Sequence, residues 1–539
     1  MAPPSPPTAA PRSAADSHKP SSFGPLQSPV FRMLWLTWLA ANTTMWMNDV
    51  AAAWLMTSIG PSPLWVALVQ TASTLPVFVL GLPSGAWADI LDRKRYFMMT
   101  QFWVAGVAII LCVVIMGGWI TAPLLLALTF ANGIGLALRW PVFAAIIPEI
   151  VPRHHLAQAL ALNGVAMNGS RIIGPLVAGA VIASVGSAWV FVINAVLSVA
   201  AGVLIMQWRR EHRESPLGRE RLTSAMRVGL QYVWQSSRLR AILVRIALFF
   251  LHSTALLALL PLVARSLPGG QAGTFTVLLA SMGVGAIVAA IGMPYIRQWL
   301  PLQPRVMLGT AIQAAASVIV AFAPNIYIAV PAMAVSGAAW ITVANSLTVA
   351  AQMALPDWVR ARGMSIYQMA LMGSTALGAA LWGQVATSTS IQESLGIAAV
   401  TSVALMAAAQ RFVRDRGMLE DLTPSRVFKV PEMQAPPREG RIQVDIEYRI
   451  DPARSPEFLA LMQESRRSRL RQGALDWQLL HDLYEPGRYV EQIVDESWTE
   501  HLRRFDRVSA EDVKIRDAKL AFHIGDEAPR VTRFLIERE

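Results

Sequence analysis

The chain has few charged residues and almost no cysteine. Of its 539 residues only 15% are charged, 54% are hydrophobic, and Cys112 is the single cysteine. The low charge excludes the composition of an ordinary soluble domain, and the lone cysteine excludes an internal disulfide framework. A basic start followed by a short apolar run is also lacking, because proline, serine and alanine dominate residues 1–29. We therefore predict a membrane protein with a disordered N-terminal tail and no signal peptide.

The positive net charge does not indicate nucleic-acid binding. Residues 441–539 contain 17 Lys and Arg against 20 Asp and Glu, a net of −3, which leaves +14 for the rest of the total of +11. The excess lies in short connections between apolar segments, where basic residues set the orientation of a membrane protein. We expect the lipid bilayer as a partner, and no nucleic acid.

Twelve apolar segments, the first starting at residue 31 and the last ending at residue 412, reach the length of about 20 residues that a membrane-crossing helix needs. Alternate connections differ in charge, since one set carries the basic residues and the other has only Arg265. The pattern predicts twelve transmembrane helices, with both termini and the middle loop in the cytoplasm. The basic connections contain Arg93, Lys94, Arg95, Arg153, the eight arginines from Arg209 to Arg240, Arg297, Arg305, Arg360 and Arg362.

The apolar part of the chain repeats itself. A shift of 204 residues places glycine on glycine and proline on proline over the second to fifth helices of each half. This self-similarity predicts two pseudo-symmetric six-helix bundles, as in many secondary transporters. The superimposed pairs include Gly81 with Gly285, Gly133 with Gly337, Pro152 with Pro356, Gly169 with Gly373, Gly174 with Gly378 and Gly179 with Gly383.

Several motifs resemble those of the major facilitator superfamily. The run GAWADILDRKR at 85–95 is similar to the signature between the second and third helices, although Ile90 and Asp92 stand where arginine and glycine are usual. The Asp92 form resembles the enterobactin-exporter-like branch, the transmembrane secretion effectors. The run RIIGPLVAG at 171–179 resembles the Gly-Pro signature of drug and proton antiporters, and PDWVRARG at 356–363 resembles the branch's tenth-to-eleventh loop.

The C-terminal run SWTEHLRRFDR at 497–507 is similar to the soluble extension of many branch members. The resemblance covers residues 30–539. It implies an exporter in a bacterial cell (inner) membrane that works by alternating access, with proton exchange.

Charged side chains inside a bilayer are costly, so each one here is a functional candidate. Asp49 is either a titrating coupling carboxylate or a helix-end residue in contact with water. Arg139 steers a proton or an anionic substrate, or it forms an ion pair between helices, whereas Arg171 contacts substrate or reaches the nearby cytoplasmic surface. His252, which shares a helix face with Arg245, either titrates or is simply hydrogen-bonded.

The loop signature suggests an interdomain gate, in which acidic and basic residues clasp the two halves in one state. Plain orientation charge is a compatible second role. Glycine and proline in the fifth helix allow bending and close packing. Trp46, Trp103 and Trp340 line an aromatic cavity or pack. The gate residues are Gly85, Asp89, Asp92, Arg93, Lys94 and Arg95, and the helix-bending residues are Gly174, Pro175 and Gly179.

From residue 441 the pattern becomes charged and alternating, which predicts one small α+β domain. Its order resembles the dimeric α+β barrel of antibiotic-biosynthesis monooxygenases and suggests a homodimer through this domain. Trp498, His501 and His481 are candidates for an active pocket. The sequence offers no metal-ligand spacing and no phosphate loop, so we predict neither metal nor cofactor, and a structural role in place of an enzyme.

Together these features predict an all-α polytopic membrane protein with a cytoplasmic α+β domain. The expected function is proton-coupled efflux of a small organic molecule, such as a siderophore, drug or secreted metabolite. The alternative is a bifunctional protein whose C-terminal domain is monooxygenase-like or binds the metabolite. The predicted units are a disordered tail at 1–29, six-helix bundles at 30–208 and 240–414, a middle loop at 209–239, a linker at 415–440 and the soluble domain at 441–539.

Overall fold

The computed structural model describes residues 24–60, 62–152, 155–208, 222–413, 421–425, 427, 431, 440–525 and 527–537. Most of the predicted disordered tail and linker, and the middle loop before residue 222, lie outside these ranges. Six helices form the first half: α1 (Pro29–Ile59), α2 (Pro63–Ile90), α3 (Arg93–Met116), α4 (Ala122–Ile150), α5 (Leu156–Val185) and α6 (Ala188–Gln207). After α7 (Leu222–Gln235), the second half contains α8 (Ser237–Ser266), α9 (Ala272–Trp299), α10 (Leu302–Ala321), α11 (Ile326–Met353), α12 (Asp357–Ser388) and α13 (Ile391–Phe412).

Ten described helices are long and apolar enough to cross a membrane. The remaining two long helices of the bundle, α1 and α12, fall short of that criterion. In α1 the polar residues Thr37, Asn42, Thr44 and Asn48 are all buried. These buried polar side chains lower the mean hydropathy of α1 without being exposed on the surface of the bundle.

The helix contacts of the two halves repeat. Contacts of α1 with α5, α2 with α4 and α3 with α6 recur as contacts of α8 with α12, α9 with α11 and α10 with α13. A Cβ atom on Gly174 would lie 2.9 Å from the carbonyl oxygen of Thr43 on α1, and one on Gly378 would overlap the carbonyl oxygen of Leu251 on α8. The repeat of 204 residues is therefore a repeat of close helix packing.

The two halves meet along α2 with α12 and α5 with α9. The Leu64 amide donates to Thr387 Oγ1 at 3.0 Å, and Thr71 Oγ1 donates to the Ala376 carbonyl at 2.8 Å. A Cβ atom on Gly179 would overlap the Thr276 side chain. We call this set of contacts the interhalf seam. It is closely packed at the end of the bundle where α2 begins and α12 ends.

The soluble domain contains the strands β1 (Arg441–Arg449), β2 (Asp476–His481), β3 (Arg488–Asp495) and β4 (Arg530–Ile536). They form an antiparallel sheet in the order β2-β3-β1-β4, with helices packed on one face. Alternation along β3 places Tyr489, Glu491, Ile493 and Asp495 under the helices. The topology agrees with the predicted α+β domain. Its helices are α14 (Ser455–Arg471), α15 (Trp498–Asp506) and α16 (Ala510–Leu520).

The second part of the predicted middle loop is helical, which the sequence analysis did not anticipate. Helix α7 contacts both α12 and α14, so it lies between the helical bundle and the soluble domain. Its Leu230 and Trp234, one turn apart, are more than half exposed. An amphipathic helix with exposed leucine and tryptophan is typical of a membrane interface. The two units are thus in contact, although the predicted linker was expected to separate them.

Candidate transport site

Asp49 lines a cavity between the two halves. The cavity is bounded by α1, by Gln70 and Ser73 on α2, and by Leu257 and Ala258 on α8 of the second half. Among the described residues that line it, Asp49 is the only charged one. An ionised carboxylate without a counter-charge is unfavourable in such a place, so a proton or a cationic group of a substrate can neutralise it. The chemistry available here is reversible binding of a proton or a cation.

Arg139 is buried against α1. Its Nη2 donates to the Ala41 carbonyl at 3.2 Å, its guanidinium lies 5.5 Å from the ring centroid of Trp38, and its Nε–H has no partner in the described structure. The ion pair considered as the alternative is not seen among the described residues. Arg139 therefore offers an unused donor in the interior of the bundle.

Arg171 lies between aromatic rings of different halves. Its guanidinium carbon is 5.2 Å from the ring centroid of Trp46 on α1 and 4.6 Å from that of Trp340 on α11. Stacking on tryptophan stabilises a guanidinium that has little water around it. The sequence identified Arg171 and both tryptophans separately, and the fold brings them together at the boundary between the halves.

Helix α1 connects the first three candidates. It contacts Arg139 through residues 38 and 41, contacts Arg171 through residue 46 and carries Asp49. The rise from residue 41 to residue 49 is about 12 Å at 1.5 Å per residue. The two arginines and the carboxylate therefore follow one another along one broad face of α1.

His252 and Arg245 belong to a different region. The Nδ1–H of His252 donates to the Leu248 carbonyl at 2.7 Å, and the ring lines a second cavity inside the second half, together with Gln313 and Ser402. Arg245 is 1% exposed, and its Nη2 donates to the Val413 carbonyl at 3.4 Å. The structure therefore separates this pair from Asp49.

The loop signature is only partly described. Gly85 and Asp89 lie in the last turns of α2, and the surroundings of Gly85 and the side chain of Asp89 lie outside the described part of the structure. Asp92 caps α3 by accepting from the Arg95 amide at 2.9 Å, and Lys94 Nζ donates to the Met206 carbonyl at the end of α6, at 2.8 Å. Arg93 begins α3. Both of these contacts lie within the first half, and the interdomain clasp stays a prediction.

The helix-bending residues occupy contact points. Gly174 allows α5 to approach α1, and Gly179 allows it to approach α9 of the other half. Pro175 lies inside α5 without ending it. Because any larger side chain at Gly179 would meet Thr276, this residue contributes to the interhalf seam.

The three candidates for an enzyme pocket in the soluble domain do not converge. His481 stacks on Tyr489 at one end of β3, whereas Trp498 and His501 lie near Asp495 at the other end, about 20 Å away at 3.3 Å per residue. His501 donates through Nδ1 to Asp495 at 2.7 Å and accepts at Nε2 from Arg533 at 3.2 Å.

Burial lowers the pKa of His501 and outweighs the opposing effect of Asp495. Both ring nitrogens are occupied in this neutral form, so the imidazole has no free position from which to take a proton. Its geometry is that of a structural histidine.

The soluble domain also contains a buried ionic cluster that the sequence analysis missed. Glu491 is fully buried on β3, in a register position that alternation alone assigns to an apolar residue. Burial would raise its pKa, but the cations of Lys519 and Arg469 outweigh burial and hold that pKa below its ordinary value. The Glu491 carboxylate accepts from Lys519 Nζ at 2.9 Å, Trp477 Nε1 at 2.9 Å, Ser465 Oγ at 2.8 Å and Tyr448 Oη at 3.1 Å.

Comparison with known proteins agrees with this architecture. The chain is 22% identical over 257 residues to the staphyloferrin A transporter of Staphylococcus aureus, covering 47% of this chain and 64% of the relative. It is 23% identical over 363 residues to the multidrug efflux pump Tap of Mycolicibacterium fortuitum, covering 65% of this chain and 87% of that relative. The chain thus spans less than two thirds of the staphyloferrin A transporter, but most of Tap.

Among solved structures, a bacterial homologue of the human lysosomal transporter Spinster, in an inward-facing and unoccupied conformation, matches with a TM-score of 0.56 at 15% identity, covering 72% of this chain and 96% of that one. The D323A mutant of the nucleoside transporter NupG matches with a TM-score of 0.58 at 14% identity, covering 70% and 99%. These likenesses show the shared fold.

The duplicated bundle and its apolar spans agree with the fold of these transporters, and the matching family profile identifies the chain as a polytopic transporter of the major facilitator superfamily. The family profile described as transmembrane secretion effector matches residues 20–539. The chain belongs to this family.

Proposed function

We propose that this protein is a proton-coupled exporter of a small organic molecule that works by alternating access. The observation that carries the proposal is the position of Asp49 in a cavity that both halves bound. A carboxylate at the boundary of two rocking bundles can be exposed to one side and then to the other, and can exchange a proton for substrate in each cycle.

The proposal assigns twelve transmembrane spans, the ten apolar helices together with α1 and α12. Both termini, α7 and the soluble domain lie in the cytoplasm, and the membrane is the bacterial inner membrane. The basic connections support this orientation. Asp89 and the basic residues 93–95 form the clasp between halves, and Arg171 with Trp340 is a second, intramembrane contact that breaks during rocking.

The substrate class follows from the relatives and from the site. One relative is a staphyloferrin A transporter and another a multidrug efflux pump, so siderophores and drugs are the leading classes. The arginines along α1 suit anionic groups, whereas Asp49 and the tryptophans suit cationic and aromatic ones.

Reconstituted protein tests this function directly. Proteoliposomes with an imposed proton gradient would be assayed with ethidium as an organic cation and with a polycarboxylate siderophore as an anion. Gradient-driven accumulation of either probe, abolished by a protonophore, supports the proposal. Equilibration that ignores the gradient contradicts proton coupling. Metabolites retained by cells that lack the protein, compared with cells that make it, would identify the natural substrate.

We further propose that two copies associate through the open face of the soluble sheet. This face is opposite α14 and α15, and it presents Leu480, Phe534 and Ile536, each more than a third exposed. An exposed sheet face of this kind is commonly covered by a second copy. The substitution Phe534→Arg is expected to convert a dimer into a monomer in light scattering of the purified protein. An unchanged mass would contradict the dimer.

A further inference from the structure

A tryptophan at the start of α12 joins the helical bundle to the soluble domain. Trp358 packs edge-on against Tyr232 of α7, with ring centroids 5.8 Å apart. The guanidinium of Arg507 from the soluble domain also lies near this ring, 5.3 Å from its centroid. Trp358 therefore contacts both α7 and a cation of the soluble domain.

Arg507 is itself held rigidly. Its Nη1 donates to the Gln472 carbonyl at 2.8 Å and its Nη2 to Glu500 at 2.8 Å. Gly473, next to that carbonyl, has a φ of +107°, and a Cβ atom there would lie 2.7 Å from Arg507 and 2.9 Å from Val228 of α7. A glycine is therefore needed where the soluble domain meets α7. Because Arg507, Gly473 and Val228 are closely packed, a displacement of the soluble domain at this point also displaces α7.

Helix α7 adds polar contacts on both sides. Arg227 forms an ion pair with Glu496 at 2.7 Å, and Gln231 Nε2 donates to the Ala474 carbonyl at 3.2 Å, both toward the soluble domain. Toward the bundle, Tyr232 Oη donates to the Ala354 carbonyl at 3.1 Å, just before α12. The soluble domain, α7 and the start of α12 form one continuous contact.

The far part of α12 is in the interhalf seam. Beyond Trp358, the helix lies against α2 from Met369 to Thr387. Met369 faces Gly81, and Thr387 accepts a hydrogen bond from the Leu64 amide. A rocking motion of the halves has to move α12 relative to α2. Contacts that fix the start of α12 therefore change the relative stability of the conformational states between which the halves rock.

We infer that the soluble domain is a conformational clamp that acts on the transporter through α7 and Trp358 and stabilises the state with a closed interhalf seam. The inference rests on the proposed alternating access. Release of the clamp shifts the population toward states in which the Asp49 cavity is accessible. The soluble domain therefore sets how readily the transporter changes between its conformational states.

A charge swap tests the clamp in the full-length protein. The reporter is Ala53→Cys, at the wall of the Asp49 cavity, in a Cys112→Ser background, and the measurement is its rate of reaction with N-ethylmaleimide. Arg227→Glu and Glu496→Arg are each expected to raise this rate about fivefold or more, the usual lower range of allosteric coupling. The double variant, which restores the ion pair with reversed polarity, is expected to return the rate to within about twofold of the parent.

Lys514→Glu is the matched control, because its ion pair with Glu511 is on α16, away from α7. It is expected to leave the labelling rate unchanged. Single variants without effect, or an effect that the double variant fails to reverse, would overturn the clamp.

Efflux measured on the same proteins separates the two proposals. A labelling response without gradient-driven transport supports the clamp and contradicts the transport proposal. Transport with no labelling response contradicts the clamp alone.

Discussion

The guanidinium of Arg171 lies 4.6 Å from the ring of Trp340, so a cation of the first half is bound by an aromatic side chain of the second. The same guanidinium also contacts Trp46 of its own half. When the halves move apart at this contact, Arg171 stays next to Trp46 of its own half and loses its contact with Trp340 of the other half. The contact therefore reports the conformational state, and it is placed to stabilise one state over another.

Conservative changes at this contact test its contribution. Arg171→Lys keeps the charge but loses the planar face that stacks on tryptophan. A desolvated cation–π contact contributes about 2 kcal/mol, so we expect the transport rate to change by about tenfold or more. Trp340→Phe should have a smaller effect on the transport rate in the same direction. The effect of the double variant should be smaller than the sum of the two single effects, expressed as free energies.

The control is Arg454→Lys in the soluble domain, where the guanidinium lies 4.1 Å from the ring of Phe522. Transport at the parent rate is expected for this variant. Additive effects of Arg171→Lys and Trp340→Phe would show that the two side chains act independently.

Asp49 is expected to be required for coupling and not for folding. Asp49→Asn preserves the shape of the side chain but cannot exchange a proton, so proteoliposomes should lose gradient-driven accumulation while counterflow of bound substrate persists. Expression and thermal stability in detergent should match the parent. Glu393→Gln, the same change at an exposed helix start, is the control. An Asp49→Asn protein that still concentrates substrate would place coupling elsewhere.

The orientation can be read from two tyrosines at opposite ends of the molecule. Tyr484 is 95% exposed in the soluble domain, and Tyr327 is 84% exposed at the start of α11. In a Cys112→Ser background, Tyr484→Cys should react with an impermeant maleimide only in opened cells, whereas Tyr327→Cys should react in intact cells. The reverse pattern would invert the proposed topology.

Periodicity and repeats predicted the bundle because lipid leaves few alternatives for the backbone. The shift that pairs Gly174 with Gly378 is visible in the sequence because close helix contacts demand small residues. The partners of Arg171 were not predictable, since Trp46 and Trp340 are separated by hundreds of residues and only the fold joins them. Helix α7 was missed because its arginine-rich surroundings look like a loop.

Glu491 shows a second limit of pattern reading. Period-two alternation assigns its position to the sheet's buried face, and a carboxylate there is acceptable only with cations from α14 and α16. Those cations, Arg469 and Lys519, come from amphipathic segments in which a charged residue normally faces solvent. A buried ion cluster depends on the packing of three elements at once, which single-segment reasoning does not see.

The same cluster predicts a pH dependence. The folded-state pKa of Glu491 is depressed, so its contribution to stability is complete above the ordinary value of 4.5 and is lost as pH falls through the folded value. Glu491→Gln should destabilise the domain by about 3 kcal/mol or more near neutral pH, because it leaves buried cations without their partner. The difference in unfolding free energy between the parent and Glu491→Gln should shrink below pH 4.5.

Lys519, whose pKa burial lowers to about 8, supplies a check at alkaline pH. Between that value and its ordinary 10.5, the unfolded chain binds more protons at this residue, so stability contributed by Lys519 should rise with pH. Lys519→Met should remove this slope in denaturant titrations. If the difference in unfolding free energy between the parent and Lys519→Met stays constant from about pH 7 to about pH 10, the predicted slope is contradicted.

The last prediction concerns where the soluble domain begins. Sequence composition puts its start at residue 441, yet the described linker residues pair with the domain. Ser425 donates its amide to the Val508 carbonyl at 2.9 Å, and the amides of Ala510 and Glu511 donate to the carbonyls of Thr423 and Asp421 at 2.9 and 3.1 Å. The last two bonds satisfy amides at the start of α16 that a helix leaves unpaired.

Residues 441–539 expressed alone should be soluble and folded, because the sheet and its helices have their own core. Residues 421–539 should be more stable than 441–539 by about 1 to 3 kcal/mol, since each protein hydrogen bond contributes about 1 kcal/mol net. Urea denaturation followed by circular dichroism measures the difference. The matched control is 421–539 with Ser425→Pro, which removes the amide that donates to the Val508 carbonyl, and its stability should fall between those of the two fragments. Equal stability of all three fragments would mean that residues 421–425 contribute nothing to the domain, and an unfolded 441–539 fragment would move the domain boundary to residue 421.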